Sequence, residues 1–275
     1  MPELPEVQTV INELSKNLLN KKILDIKIIN PKIIKNVDAK KFKNYLLKEE
    51  IISISRIGKY IIFHLTNNKV LVSHLRMEGK YFFDKKTDSF DKKHVLIRFI
   101  FLNEELRYHD TRRFGTLNIY NESNYLLSKE LKKIALDPLD KNFNLTYFWK
   151  NISSSKKFIK TVLLDQTKVS GIGNIYADEI LFASKIHPQK LAINLIPKDV
   201  KLIVDNAKKI LSLSIKHNGT TINSYKFKKG HAGSFQNKLK VHTKFNQPCI
   251  VCKTLISKIK VNGRGTYFCS KCQVL

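Results

Sequence analysis

The first six residues carry groups that suit covalent catalysis. Removal of Met1, which a small second residue permits, would leave a free secondary amine on Pro2. An uncharged amine is a nucleophile towards a sugar aldehyde or the C1′ carbon of a nucleoside, and terminal amines have pKa values of about 7.7–8.0. Glu3 and Glu6 add two candidate acid–base carboxylates. The same segment also suits a helix start with Pro5 in its first turn, so both interpretations remain open on these residues alone.

All four cysteines lie close to the C-terminus, in two CxxC pairs. They are Cys249, Cys252, Cys269 and Cys272. This spacing predicts one zinc ion held by four thiolates, which is a structural rather than a catalytic coordination shell. Two disulfides or an iron–sulfur centre are the alternatives, and the context disfavours both. Between the pairs, Asn262-Gly263 predicts a β-hairpin turn with Arg264 at its tip.

The charge balance points to a nucleic-acid partner. Lysine and arginine number 50 against 23 acidic residues, which gives a formal net charge of +27. Such an excess is typical of proteins that neutralise phosphates, although a lysine-rich proteome is an alternative cause. No apolar run approaches the length of a membrane span, and the N-terminus does not resemble a signal peptide. We therefore expect no membrane partner.

The hydrophobic pattern changes near the middle of the chain. Residues 5–20 have helical spacing, residues 23–120 are strand-like with one short helix at Ala39–Leu47, and helices follow from about residue 123. The predicted strands are Ile23–Ile29, Ile51–Ile57, Tyr60–Leu65, Lys69–Leu75, Lys80–Phe83, His94–Phe101, Leu106–His109 and Thr116–Tyr120. The later helices are Thr146–Ile152, Lys157–Leu164, Ile175–Ser184 and Lys198–His217. This segregation predicts an α+β chain with an N-terminal β-sandwich and a helical second domain.

Several short motifs place polar residues in turns. Lys59 lies in RIGKY at a turn between two predicted strands, where it could reach a phosphate or serve an active site; the alternative is a solvated loop lysine. Met77 lies in HLRMEG as a flexible apolar residue among polar ones; the alternative is a methionine that fills the core. DTRRFG sets Arg112 beside Phe114, which suits a wedge that enters a base stack, or else an ordinary charged turn. The glycines of GIGN, ending at Asn174, precede a helix whose N-terminus suits a phosphate.

Taken together, these motifs resemble the bacterial formamidopyrimidine-DNA glycosylase family, helix–two-turn–helix enzymes that repair oxidised purines. The family order is followed over the whole length by PELPEV (2–7), RIGKY (56–60), HLRMEG (74–79), DTRRFG (110–115), GIGNIYADE (171–179) and GRGTYFC with CxxC (263–272). PELPEV favours this branch over the related endonuclease VIII branch. The resemblance implies a β-sandwich catalytic domain at 1–132, a helix–two-turn–helix domain at 133–238 with a lesion-capping loop at 219–236, and a zinc hairpin at 239–275.

The resemblance also implies residue roles. Pro2 would form the Schiff base, Glu3 would donate a proton to the deoxyribose with support from Glu6, and Lys59 and Arg264 would serve β- and δ-elimination. DNA contacts are implied for His74, Met77, His94, Arg112, Phe114, Lys156, Lys160 and Asn174, with Arg112 facing the orphaned cytosine. Lesion recognition is implied for Glu78, Ser224 and Tyr225. The implied partner is duplex DNA with oxidised purines or abasic sites, bound by a monomer in the bacterial cytoplasm, with one zinc ion and no redox or nucleotide cofactor.

Three positions depart from the family pattern. Gln8 stands where the family usually has Glu, residues 92–95 keep one of two usual histidines as His94, and residues 241–244 replace a Tyr-Gly-Arg stretch. These changes bear on the local acid content and DNA contacts. An endonuclease VIII-like paralogue acting on oxidised pyrimidines and a non-catalytic zinc-hairpin DNA-binding protein remain as alternatives. The second gives no reason for PELPE at the N-terminus.

Overall fold

The computed structural model describes residues 1–220 and 233–275. Within these ranges the chain divides into two compact units. The first contains Met1–Pro2 and Glu6–Lys132, and the second contains Glu3–Pro5, Lys133–Thr220 and Gly233–Leu275. The three domain ranges derived from the sequence stay a prediction.

The first unit contains two four-stranded sheets in which every neighbouring pair is antiparallel. The strand orders are β1-β6-β7-β5 and β2-β3-β4-β8. The strands are β1 (Asp25–Ile28), β2 (Ile51–Ile57), β3 (Tyr60–Leu65), β4 (Lys69–His74), β5 (Lys80–Lys85), β6 (Val95–Ile100), β7 (Glu104–His109) and β8 (Thr116–Asn121). All eight predicted strands are confirmed, with ends that differ by one or two residues in six of them.

One apolar core joins the two sheets to their flanking helices. Helix α1 (Leu4–Leu18) contributes Val7, Ile11 and Leu14 at helical spacing, and α2 (Ala39–Leu46) contributes Phe42. The core strands bury mostly aliphatic and aromatic side chains, which favours the pleated backbone. The predicted β-sandwich is therefore confirmed, and its packing fixes the turns at the strand ends.

The second unit is helical and ends in a hairpin. Its elements are α3 (Leu145–Ile152), α4 (Ile159–Leu164), α5 (Asn174–Ala183), α6 (Pro197–Lys216), β9 (Ser257–Val261) and β10 (Arg264–Phe268). Helix α5 is buried from Tyr176 to Phe182, although that stretch includes Asp178 and Glu179. Two buried carboxylates in one helix require internal partners, and these partners organise the second unit.

The hairpin turn follows the prediction. Asn262 and Gly263 have φ values of 47° and 72°, the left-handed backbone that a two-residue hairpin turn requires.

No described helix is long and apolar enough to cross a membrane.

Candidate catalytic and nucleic-acid-binding residues

The Glu3 carboxylate is held by backbone amides at the start of α5. Its Oε2 accepts from Gly173 N at 2.6 Å, and its Oε1 accepts from Ile175 N at 2.9 Å. Glu3 is 3% exposed, and the next residue, Leu4, donates its N–H to Gly171 O at 2.9 Å. Helix N-termini favour negative groups because their amides lack internal partners. Glu3, the residue after Pro2, therefore has one fixed orientation.

Two glycines make this arrangement possible. A Cβ on Gly173 would lie 2.3 Å from Glu3 Cδ, and one on Gly171 would lie 2.6 Å from Leu4 Cδ1. Gly171 also has φ of +84°, which disfavours other residues. The sequence suggested that these glycines admit a phosphate, whereas here they admit residues 3 and 4. Sequence reasoning missed this role because it depends on contacts across some 170 positions.

Lys59 lies in the β2–β3 turn and is 5% exposed. Its neighbour Gly58 has φ of 56°, and Arg56 closes the turn by donating Nη1 to Gly58 O at 2.8 Å. Arg56 Nε also donates to Gln8 Oε1 at 3.1 Å. Gln8 thus ties α1, which carries the buried Glu6, to the turn that carries Lys59. An amide oxygen makes this contact where the family pattern has a carboxylate.

His74 is buried at the end of β4, and its imidazole is neutral. Burial, reinforced by the positive charges of Arg76 and Lys59, lowers its pKa to about 3. Nδ1 accepts from Arg76 N at 2.9 Å, so the proton is on the other ring nitrogen. The group available to a phosphate is a neutral N–H donor. His94, with φ of 69°, is partly buried and its carbonyl accepts from Asp110 N at 3.0 Å.

Two loops present the expected wedge residues. We call residues 75–79 the Met77 loop and residues 110–115 the Arg112 loop. Phe114 is 53% exposed, Met77 is partly buried, and the Arg112 guanidinium lies 4.9 Å from the Phe114 ring centroid. An exposed arginine stacked on an exposed phenylalanine presents a flat surface that can stack on the face of a base pair.

Glu78 joins these loops, because its carboxylate accepts from Thr111 Oγ1. A direct lesion contact by Glu78 therefore stays a prediction. The other expected lesion contacts, Ser224 and Tyr225, lie outside the described residues, as does most of the predicted capping loop 219–236.

Lys160 is fully buried in the second unit. Its Nζ donates to Asp178 Oδ1 at 2.7 Å, Thr266 Oγ1 at 2.8 Å and Gly265 O at 3.1 Å. Burial lowers its pKa, and Asp178 acts in the opposite direction. These three bonds use every ammonium proton. Lys160 thus fixes β10 against α4 and α5, and its expected phosphate contact stays a prediction that would compete with them.

Three other expected DNA contacts lie in the same unit. Asn174 is the first residue of α5 rather than its N-cap, which is Gly173, and its Nδ2 donates to Gly265 O at 2.9 Å. Arg264, beside Gly265, is exposed at the start of β10, and Lys156 is exposed before α4. Asn174 and Lys160 therefore hold the same carbonyl, and together they position the strand that carries Arg264.

The loop before the first cysteine is fixed by two acids that sequence reasoning missed. Glu179 is 4% exposed, and its carboxylate accepts from the backbone amides of Lys240, Val241 and His242 at 2.9–3.0 Å. Burial raises the pKa of Glu179, and these amides oppose the rise. Asp178 Oδ2 lies 2.7 Å from His242 Nδ1. In the sequence, the only indication of these two roles was that Asp178 and Glu179 stand together in the GIGNIYADE motif.

The four cysteines converge as predicted. All four Sγ atoms lie within 4.8 Å of one another, and Cys249 and Cys269 are buried. A tetrahedral zinc–thiolate site with bonds of about 2.3 Å separates its sulfurs by roughly 3.8 Å. The sulfurs of Cys252 and Cys269 lie 3.3 Å apart, and those of Cys249 and Cys272 lie 4.0 Å apart. The cluster thus fits one structural zinc ion.

Comparisons with known proteins cover nearly the whole chain. Residues 1–117 match the formamidopyrimidine-DNA glycosylase N-terminal domain, 134–226 the formamidopyrimidine-DNA glycosylase H2TH domain, and 246–274 the zinc finger found in FPG and IleRS.

The chain is also similar to named proteins along its full length. It is 52% identical to the formamidopyrimidine-DNA glycosylase of Ureaplasma parvum, covering 99% of this chain and 100% of that protein. The enzyme of the same name from Mycoplasma pneumoniae is 51% identical over 100% of this chain and 99% of its own. A Lactococcus lactis FPG variant, solved with DNA containing Fapy-dG, superposes with a TM-score of 0.94, 39% identity and full coverage of both chains.

Proposed function

Because this chain belongs to the formamidopyrimidine-DNA glycosylase family, we propose that it excises oxidised purines, including 8-oxoguanine and formamidopyrimidines, from duplex DNA and then cuts the strand. The enzyme is a DNA glycosylase of base excision repair. The observation that carries the proposal is the Glu3 carboxylate, fixed by α5 amides immediately after Pro2. A non-catalytic binding protein has no need to orient an acid there.

The proposed chemistry begins at the amine of Pro2, freed by removal of the half-exposed Met1. The amine attacks C1′, and the bond from C1′ to the base breaks as the proton of the amine passes to the departing base. The C1′–O4′ bond then opens, and the nitrogen and C1′ form an iminium. Glu3 donates a proton to the deoxyribose during ring opening, supported by Glu6. The iminium acidifies C2′, so β-elimination and then δ-elimination release both phosphates. Lys59 is assigned as the acid for β-elimination, and Arg264, which contacts phosphate, is assigned to δ-elimination.

Extrusion of the damaged base requires DNA contacts on both sides of the lesion. We propose that Met77, Arg112 and Phe114 fill the emptied space, which offsets the few kcal/mol that unstacking costs. His74, Asn174 and Lys156 hold phosphates, and His94 and Lys160 remain candidates for the same role. The zinc ion supplies no chemistry to the reaction; it stabilises the hairpin that carries Arg264. We further propose that the enzyme acts as a monomer on the bacterial chromosome, in the cytoplasm.

Cleavage of duplexes with defined lesions tests this proposal. We expect efficient excision of 8-oxoguanine and formamidopyrimidines, and cleavage of pre-formed abasic sites. Faster excision of oxidised pyrimidines than of oxidised purines would instead assign the endonuclease VIII-like activity. Tight binding to every duplex with no cleavage would leave only a DNA-binding protein.

Gly173→Ala should slow base excision by about 100-fold, because misplacing a catalytic group by about 1 Å has effects of that size. The new methyl would lie 2.3 Å from Glu3 Cδ and must push the carboxylate off the α5 amides. Single-turnover excision of 8-oxoguanine measures this effect. Affinity for the same duplex should change little, since the wedge residues lie elsewhere. Wild-type excision by a folded Gly173→Ala protein would show that the orientation of Glu3 is not limiting.

Arg112→Ala should weaken discrimination of the base opposite the lesion by about 1–3 kcal/mol, the value of a bidentate base contact. Arg113→Ala is the matched control, because it removes the same charge from the same exposed loop. Loss of Arg113 should weaken binding to all duplexes alike and lower the salt dependence of the affinity. Affinities for lesion duplexes with each of the four opposite bases, at several salt concentrations, separate the two effects. If both variants lose affinity uniformly, Arg112 is a phosphate ligand.

A further inference from the structure

The hydroxyl of Tyr108 lies between the Met77 loop and the Arg112 loop. Tyr108 is fully buried on β7, and its ring packs edge-on against Tyr81 at 4.9 Å. A Cβ on Gly79 would lie 2.0 Å from Tyr108 Oη, and one on Gly115 would lie 1.9 Å from the same atom. Each loop therefore ends in a glycine that touches one shared side chain.

These glycines are required by space and not by backbone conformation. Among the described glycines, those with positive φ are at other positions, namely Gly58, Gly171, Gly219 and Gly263. The three atoms nearest to a Cβ on Gly115 all belong to Tyr108, so any side chain there must displace this ring. For Gly79, Leu75 O is also close, at 2.6 Å. Gly115 thus reports on Tyr108 more selectively.

Each loop is also closed by its own hydrogen bonds. In the Arg112 loop, the Asp110 carboxylate accepts from Arg112 N at 3.0 Å and Gly115 N at 2.7 Å. In the Met77 loop, Gly79 N donates to Leu75 O at 2.9 Å. The Thr111–Glu78 bond then links one loop to the other near the surface. Two internally rigid loops with two links, one buried and one exposed, have a fixed separation.

We propose that Tyr108 is a positioning residue that holds the two loops at the separation needed for Met77, Arg112 and Phe114 to enter the base stack as one preformed wedge. Tyr108 is inaccessible to DNA. Its hydroxyl donates to His74 O, immediately before the Met77 loop, at 3.4 Å, so it acts through the backbone at the loop ends. A preformed wedge incurs its ordering cost during folding and not during binding, which favours rapid insertion. This inference rests on the proposed function, because it assumes that a base is extruded.

The test compares Gly115→Ala, Tyr108→Phe and the double variant on one lesion duplex. The duplex carries 8-oxoguanine with 2-aminopurine beside the opposite cytosine, so wedge insertion unstacks the fluorescent base. Gly115→Ala should reduce the fluorescence rise and slow single-turnover excision by about 10- to 100-fold. Cleavage at a pre-formed abasic site should be retained, since no base remains to be extruded. The double variant should recover part of both signals, because Tyr108→Phe removes the atom nearest to the new methyl.

Tyr81→Phe is the matched control. It also removes a buried tyrosine hydroxyl, but that hydroxyl donates to Ser73 Oγ at 2.8 Å on β4 and not to either loop. This variant should insert its wedge like the wild-type protein. Should Gly115→Ala fail to fold, Thr111→Val tests the same idea by removing the exposed link, and it should reduce the fluorescence rise while sparing abasic-site cleavage.

Three outcomes would overturn the inference. They are normal wedge insertion by folded Gly115→Ala or Thr111→Val, no recovery in the double variant, and equal loss in Tyr81→Phe. Failure of the wild-type protein to cleave an abasic site would instead refute the proposed function, so the two failures are distinguishable.

Discussion

Protein that carries one extra residue before Pro2 should neither cleave lesion DNA nor become linked to it by borohydride. An added residue converts the amine into an amide, whose nitrogen lone pair is delocalised and does not attack C1′. Borohydride reduces an iminium to a stable amine, so the native protein mixed with 8-oxoguanine duplex should become covalently joined to the DNA. The crosslinked peptide, identified by mass spectrometry, should begin at Pro2.

Two comparisons make this result specific. Affinity of the extended protein for the duplex should largely survive, because its phosphate-binding residues are unchanged. Glu3→Gln should also bind the lesion but release little base, since the amide keeps the shape of Glu3 and lacks a transferable proton. If the extended protein is trapped and cleaves as well as the native one, the nucleophile lies elsewhere, for example on a lysine, and the proposed mechanism is wrong.

Cys269→Ala should abolish tight DNA binding, although Cys269 itself is not expected to contact DNA. Structural zinc contributes roughly 10–16 kcal/mol to small metal-folded units, and Cys269 is one of two buried members of the cluster. Without the metal we expect β9 and β10 to unfold, which displaces Arg264 and removes two of the three partners of Lys160, Gly265 and Thr266. The N-terminal β-sandwich, whose core contains none of these residues, should stay folded.

Cys272→His is the matched control for this experiment. A Cys₃His site still binds zinc tetrahedrally, so metal content and DNA affinity should be close to the wild-type values. Elemental analysis should give one zinc ion per chain for the wild type and none for Cys269→Ala. Absence of zinc from the wild-type protein, or tight DNA binding by the metal-free Cys269→Ala variant, would contradict a structural zinc site.

The fold was largely predictable because its signals are local. The two-residue period of the strands and the 3.6-residue period of the helices are visible in short windows, and Asn262-Gly263 specifies its own turn. The cysteine cluster followed from spacing alone. The ends of helices were less accurate, as for α4, which begins at Ile159 and not at Lys157, because helix ends depend on tertiary contacts.

The arrangement of the candidate site was less predictable because its contacts join distant residues. Lys160 looks in the sequence like one more solvated lysine, yet its partners are 18 and 106 positions away. In the sequence, Gly173 indicates only a conformationally permissive position. The folded chain shows that Glu3 occupies the space beside it. Motif resemblance named Glu3, Lys59 and Arg264. The structure adds the backbone amides that hold Glu3 and the side chains that hold the strand carrying Arg264.

The amides that Glu179 holds have a consequence for hydrogen exchange. Residues 240–242 lie in neither a helix nor a strand, and loop amides ordinarily exchange quickly with solvent. Here three consecutive N–H groups donate to one buried carboxylate. Their protection from deuterium therefore depends on a side chain in α5 and not on backbone pairing. Slow exchange in this loop reports the integrity of the contact between α5 and the segment that leads to the cysteines, and Glu179→Ala should abolish it.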